Sequence, residues 1–390
     1  MDDRQLTMVY RPSSIVTQPN MMNPQPSLRL LPLLLKATLL FVLFNFAFTF
    51  ISGLSLGKFS LYHSVFPGRE RFPFGESQKG YNLSLFNLDA MFASHVLVGT
   101  PKETNEYRVF LIGDSSVWGT LLTPEQTLAG QLNSQNISAC GKTVHAYNLG
   151  YPYISLLQEV MILDEALQYE PDMVVWLTTL ESFPRDKQLA APLVANSPER
   201  VKQLITNYQL PLDPNDPSLN HATLWDQTFV NQRKDLANLI RLQIYGALWA
   251  STGIDQFYPE DYERAQTDFE ADYEFHGIKP NETLQGKLSI EILDAGMNAA
   301  GVPTILVNEP ILVSDGVNSD IRYNFFYPRW AFDEFRALLD EHTSSRGYHY
   351  VGLWDLVPMT EFTNSGVHLT PFGESMLAEK VGEAIQSFCK

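Results

Sequence analysis

From about Tyr107 onward the chain alternates short apolar runs with amphipathic segments, the pattern left by strands and helices that take turns along a chain. YRVFLIG (Tyr107 to Gly113), Val144 to Asn148, Met173 to Leu177, VPTILVN (Val302 to Asn308) and Tyr348 to Leu353 read as five strands. Helix signals lie between them. Thr123-Pro124-Glu125-Gln126 sets a Thr cap before Pro at the first helical position and Gln at the third, which satisfies orphan amide donors. Ser155 to Gln158 opens a second helix to about Gln168, Leu284 to Ala300 and Tyr327 to His342 have helical spacing, and Thr370-Pro371 starts a last helix running to about Phe388. This β-α repeat implies a mainly parallel sheet covered by helices on both faces. Right-handed crossovers then give a flavodoxin-like, doubly wound, three-layer α/β/α order.

Two regions break the repeat. Residues 182–283 are rich in Asp, Pro, Asn, Tyr and Trp and read as an insertion over one end of the sheet, with helices at Glu199 to Tyr208 and Thr228 to Thr252. Within it, Phe257 to Phe275 is acidic and aromatic. It is either a solvated lobe or a lid and substrate platform, since open α/β sheets bind ligands outside the carboxyl ends of their strands. The second region is Ala37 to Gly57, uncharged throughout and mostly strongly apolar. As a helix it spans roughly 30 Å of hydrocarbon. A buried core helix or the apolar part of a signal peptide are the other readings, but the run exceeds a signal h-region and no A-x-A site follows. Basic residues flank it on both sides, so positive-inside counting does not orient it. The expected organisation is a disordered tail over 1–28, a transmembrane anchor over 29–57, a linker and entry segment over 58–106, and a domain over 107–390.

Composition narrows the function. The 27 Lys+Arg against 44 Asp+Glu give a net charge of −17 with neutral histidines, which disfavours holding phosphate backbones, so no nucleic-acid partner is expected. The two cysteines, Cys140 and Cys389, lack zinc-site spacing and are too few for a disulfide scaffold, so they leave the redox compartment open. No metal or cofactor is expected.

The chemistry concentrates in Gly113-Asp114-Ser115-Ser116-Val117-Trp118-Gly119, directly after the first strand and before a capped helix. A serine there lies at the carboxyl end of the strand, with nearby amides free to face an oxyanion. The segment is neither a dinucleotide fingerprint nor a Walker loop, and the G-x-S-x-G elbow is missing. A nucleotide-binding domain therefore has no phosphate loop to support it.

The pattern G-D-S-x-x-x-G, met in full from Gly113 to Gly119, resembles the first block of the SGNH/GDSL hydrolases. By that resemblance the glycine in Tyr147-Asn148-Leu149-Gly150 is the second block, with the amides of Gly150 and Ser115 as oxyanion donors. Val367-His368-Leu369-Thr370-Pro371 resembles the last block, making His368 the general base for the Ser115 nucleophile. Two departures stand out. The family usually places Asp three residues before the histidine, where this chain has Ser365 with Asn364 beside it. The orienting group is then Ser365, Asn364 or a backbone carbonyl, or an acid from elsewhere such as Asp355. After the third strand the family's Gly-x-Asn-Asp block is replaced by Leu177-Thr178-Thr179-Leu180-Glu181, leaving Thr179 or Asn308 as substitute donors. An anchor followed by such a domain resembles accessory proteins that work beside membrane-bound O-acyltransferases in cell-envelope acylation. The resemblance implies an anchored esterase or acyltransferase, outside the cytoplasm, acting on acyl esters of envelope glycans. The alternative is a catalytically degenerate domain that binds glycan or scaffolds an acylation complex.

Overall fold

The computed structural model describes residues 29–51, 61, 68–73, 87–252 and 261–389. Its strands are β1 (Glu106–Ile112), β2 (Ser138–Ala139), β3 (Lys142–Asn148), β4 (Met173–Thr178), β5 (Thr304–Asn308) and β6 (His349–Gly352). The helices that matter below are α1 (Leu30–Ile51), α2 (Ser115–Trp118), α3 (Leu128–Ser134), α4 (Leu156–Ala166), α5 (Pro198–Tyr208), α6 (Phe229–Thr252), α7 (Ile290–Ala299), α8 (Arg329–Arg346) and α9 (Pro371–Ser387). The sheet runs in the order β2-β3-β1-β4-β5-β6. β3, β1, β4, β5 and β6 are parallel, and β2 pairs antiparallel at the edge. The five parallel strands are those expected from the sequence, in doubly wound order.

Strand pleating divides the core in two, because successive side chains point to opposite faces. Val109, Leu111, Val175, Ile305 and Val307 pack with Leu128 and Leu132 of α3 and Leu377 and Val381 of α9. Phe110, Ile112, Val174, Trp176 and Leu306 pack with Val160 of α4, Ile292 of α7 and Phe332 and Phe335 of α8. Every position of β1, β4 and β5 is buried. Helices on both faces thus exclude water and leave the carboxyl ends of the strands as the open rim.

The boundaries moved where local chemistry overrode periodicity. The helix read from Leu284 begins at Ile290, since Gly286 with φ 75° interrupts the preceding turns. The helix read as Tyr327 to His342 starts after Pro328 and runs on to Arg346, where Gly347 in the left-handed region ends it. The short strand β2 escaped notice because it holds two residues. Its hairpin turns through Cys140 and Gly141, both at positive φ (49° and 79°), as a two-residue loop matching strand twist requires.

Helix α1 is apolar enough to cross a membrane from Leu30 to Phe50. It begins before the uncharged run and takes in Lys36. The expected tail over 1–28 and the end of the anchor over 52–57 lie outside the described residues. Part of the segment read as a linker is core: Phe72, Met91, Phe92 and Leu97 are fully buried in the larger cluster. Arg71 donates to the carbonyls of Gly119 and Leu122 at 2.8 and 2.9 Å, and its guanidinium lies 4.5 Å from the Trp118 ring centroid.

Cys140 and Cys389, whose spacing left the redox compartment open, form a single disulfide. The bond ties the β2-β3 turn to the residues just after α9, across a sequence separation of 249. Closing so long a loop restricts the unfolded chain strongly, so Cys389→Ser should lower unfolding stability by on the order of 2–4 kcal/mol. Chemical denaturation of the oxidised protein, the reduced protein and Cys389→Ser checks this. Equal stability of all three would show that the bond does not form.

Candidate active site

The turn after β1 is built to hold Ser115. Asp114, almost fully buried, caps α2 by accepting the Ser116 amide at 2.8 Å, and Gly119 closes the four-residue helix in the left-handed region with φ 84°. Ser115 is the first residue of α2, so its amide has no intrahelical acceptor. No protein acceptor bonds it among the described residues. On the neighbouring strand, Asn148 Nδ2 donates to Val117 O at 2.7 Å, locking the end of β3 to α2. Gly150 is required at this contact, because a Cβ there would lie 2.4 Å from the Trp118 amide nitrogen.

His368 reaches the same place from the opposite end of the chain. It sits on the loop before α9, whose start is fixed by Thr370 accepting the Gly373 amide and by Pro371 at the first helical position. The hydroxyl of Ser115 lies 2.8 Å from His368 Nε2. Nδ1 lies 2.8 Å from Asn364 Oδ1. An amide oxygen only accepts, so Nδ1 carries the proton and Nε2 is left with the lone pair that faces Ser115. Burial drives the imidazole down to about 4, and no neighbouring carboxylate counters it.

Of the orienting groups weighed from the sequence, Asn364 is the one in hydrogen-bond contact with His368 Nδ1. Ser365, at the position where the family carries Asp, is buried and makes no hydrogen bond to the imidazole. Asp355 is exposed on the turn after β6 and contributes nothing to His368. The oxyanion candidates separate as well. The Gly150 amide donates to Asn148 Oδ1 at 3.0 Å and is therefore occupied, against the expectation of a free donor. Thr179 is fully buried with its hydroxyl 2.9 Å from that of Tyr327, and Asn308 is fully buried beside Tyr350. Neither bonds to Ser115 or His368, so the Ser115 amide is the donor that remains open.

A buried acid escaped the sequence reading. Glu309, next after β5, is hydrogen-bonded to the hydroxyl of Ser116. It is almost fully buried, and burial together with the nearby Asp114 charge pushes its carboxyl well above the usual range. Glu374 of α9 lines the same small void and is raised by burial to about 8. The signal was present in Asn308-Glu309-Pro310, a charged residue directly after an apolar strand. Periodicity does not say that such a residue turns inward. The acid-rich segment that was read as a lobe or platform is extended over 261–274, with most side chains exposed. It lies beside the loop of Asn364, where Ala265 N donates to Thr363 O at 2.8 Å.

No group of three or more potential metal-ligating side chains occurs among the described residues. The contact of Ser115 with His368 offers proton transfer and nucleophilic attack by a hydroxyl, with an amide to receive negative charge.

Because burial favours the neutral form of the Glu309 carboxyl, Glu309→Gln should keep near-normal stability, while Glu309→Ala strands the Ser116 hydroxyl at a cost of about 1–3 kcal/mol. Thermal unfolding of both variants checks this. An equal loss in Glu309→Gln would mean that the ionised carboxylate is what the turn needs.

No protein-family model matches the chain, and no curated protein matches it in sequence. Solved structures with a similar course of the chain include a carbohydrate acetylesterase from Sinorhizobium meliloti, at 11% identity and a TM-score of 0.34, covering 72% of this chain and 99% of that one. A lipase/acylhydrolase from Enterococcus faecalis is similar at 14% identity and a TM-score of 0.34, covering 73% of this chain and 97% of that one. The native aryl esterase of M. smegmatis is similar at 12% identity and a TM-score of 0.32, covering 72% of this chain and 98% of that one.

Proposed function

We propose that the chain is a serine esterase or O-acyltransferase, anchored in a membrane by α1 and acting on acyl esters of cell-envelope glycans. The observation that carries the reaction type is the line Asn364 Oδ1, His368 Nδ1 and Nε2, Ser115 Oγ, with both gaps at 2.8 Å. Ser115 Oγ attacks the acyl carbonyl carbon while its proton passes to Nε2, and the Ser115 amide receives the oxyanion. Nε2 then returns the proton to the departing alkoxide as the C–O bond breaks, leaving an acyl-serine. Water, or a sugar hydroxyl in a transferase, attacks that ester by the same proton route in reverse.

The setting supports the rest. A long-range disulfide is typical of oxidising compartments, in keeping with a catalytic domain outside the cytoplasm. The exposed acidic strap over 261–274 disfavours polyanionic substrates. A membrane-bound O-acyltransferase as partner would fit a domain that receives acyl groups at a membrane surface. The occupied Gly150 amide favours a second reading, a degenerate domain that holds glycan without turning it over, since loss of one oxyanion donor costs on the order of 10²–10³ in rate.

Incubation of the full chain with a fluorophosphonate should place an adduct on Ser115 that is lost in His368→Ala. A folded protein with no adduct would favour the binding reading. The rate of adduct formation should fall as pH drops through about 4, because the imidazolium cannot accept the serine proton. Asn364→Asp sets a carboxylate against Nδ1 and stabilises the cation, so it should move that acidic limb to higher pH. An unmoved limb would show that Asn364 does not contact the working base.

A further inference from the structure

The chain meets the membrane at one helix in the reading above, yet the insertion touches that helix in its apolar interior. Asn45 lies well inside α1, among Phe41, Phe44, Phe46 and Phe48. A polar side chain there is costly in hydrocarbon unless it is partnered. Both ends are partnered: Nδ2 donates to Phe41 O at 2.9 Å within its own helix, and Oδ1 accepts the amide of Val230 at 3.1 Å. Val230 is the second residue of α6, where helix amides have no intrahelical acceptor. Asn45 thus caps the insertion's long helix from within the membrane segment. Phe229, the first residue of α6, sits between two rings of α1, 5.3 Å from Phe44 and 5.4 Å from Phe48 by ring centroid, both edge-on.

Depth follows from helix rise. Asn45 precedes the end of α1 at Ile51 by about 9 Å at 1.5 Å per residue. If α1 crosses a bilayer, the start of α6 is drawn below the surface of the leaflet that faces the domain. The turn leading into α6 presents two adjacent large apolar side chains, Leu224 and Trp225, which are 74% and 64% exposed. Tryptophan favours the boundary between headgroups and hydrocarbon. Asp226 in the same turn is folded back, its carboxylate accepting both the amide and the hydroxyl of Thr223 at 2.9 and 2.6 Å.

We propose that the turn Leu224–Phe229 is a second membrane-contact site whose partner is the lipid of the domain-facing leaflet, continuous with the lipid face of α1. Two points of contact fix the tilt of the insertion against the bilayer, where a single helix would leave the domain free to swivel. This rests on α1 being a span, and the test separates the two.

With both native cysteines in a disulfide, Leu224→Cys accepts a single environment-sensitive fluorophore, and the full chain is reconstituted in phosphatidylcholine nanodiscs. The expected result is a blue-shifted emission that is quenched when doxyl-labelled lipid is included. A label at Ser218→Cys, exposed earlier in the insertion, should stay red-shifted and unquenched. Asn45→Leu removes the cap but keeps α1 apolar, and should reduce quenching at Leu224→Cys. A label at Leu40→Cys reports the anchor itself. Quenching at Leu40→Cys with none at Leu224→Cys overturns the proposal while leaving the span in place, and shows the turn to be covered by protein or water. Absence of quenching at both positions overturns the anchor and the proposal together.

Discussion

A half-buried imidazole with no carboxylate against it resists protonation, and the chemistry of this site follows from that constraint. The amide oxygen of Asn364 fixes the Nδ1 proton without adding charge, so the imidazole is oriented as a carboxylate would orient it but is not made more basic. The pair Ser115–His368 is therefore held in a ready tautomer, with less driving force for drawing off the serine proton. A weakly basic imidazole is also a good acid once protonated, which favours handing the proton to a departing alkoxide. The balance suits esters, whose leaving groups need that proton less than amides do.

The rest of the rim keeps this pair in place. Asp114 caps α2, Asn148 stitches β3 to it, Gly150 lets the two backbones meet, and Arg71 braces Gly119 and Leu122 from behind. Glu309 and Glu374 are buried acids behind Ser116, raised by desolvation and so compatible with an apolar surrounding. Strand order supplies the long-range part. β1 lies in the middle of the sheet, so a residue just after it is reached both by the β3 side and by the loop leading into α9. The disulfide adds a covalent tie between the turn leading into β3 and the far end of α9.

Much of this was legible in the chain. Apolar runs marked all five parallel strands and Thr370-Pro371 marked the start of α9, because these depend on neighbouring residues, whereas Thr123-Pro124 opens only a 3-10 turn and α3 begins after Thr127. The motif Gly113 to Gly119 and His368 could be named because residue type and chain order were enough. What escaped depends on geometry that spacing does not carry. Asn364 rather than Ser365 meets Nδ1 because the loop before His368 turns the side chain four positions back toward the ring. Glu309 points inward because its backbone follows β5 onto the rim. The Gly150 amide is taken by Asn148, two residues away, through a local turn that no apolar pattern reveals. The pairing of Cys140 with Cys389 joins distant parts of the chain and needs the folded sheet to be seen.

The most direct measurement is nitrogen-15 NMR of His368 in the otherwise native chain, followed across pH. The neutral tautomer with its proton on Nδ1 should persist through neutral pH, with protonation centred near 4. A proton on Nε2 at neutral pH, or protonation centred at or above the ordinary value for histidine, would contradict a neutral base held by Asn364.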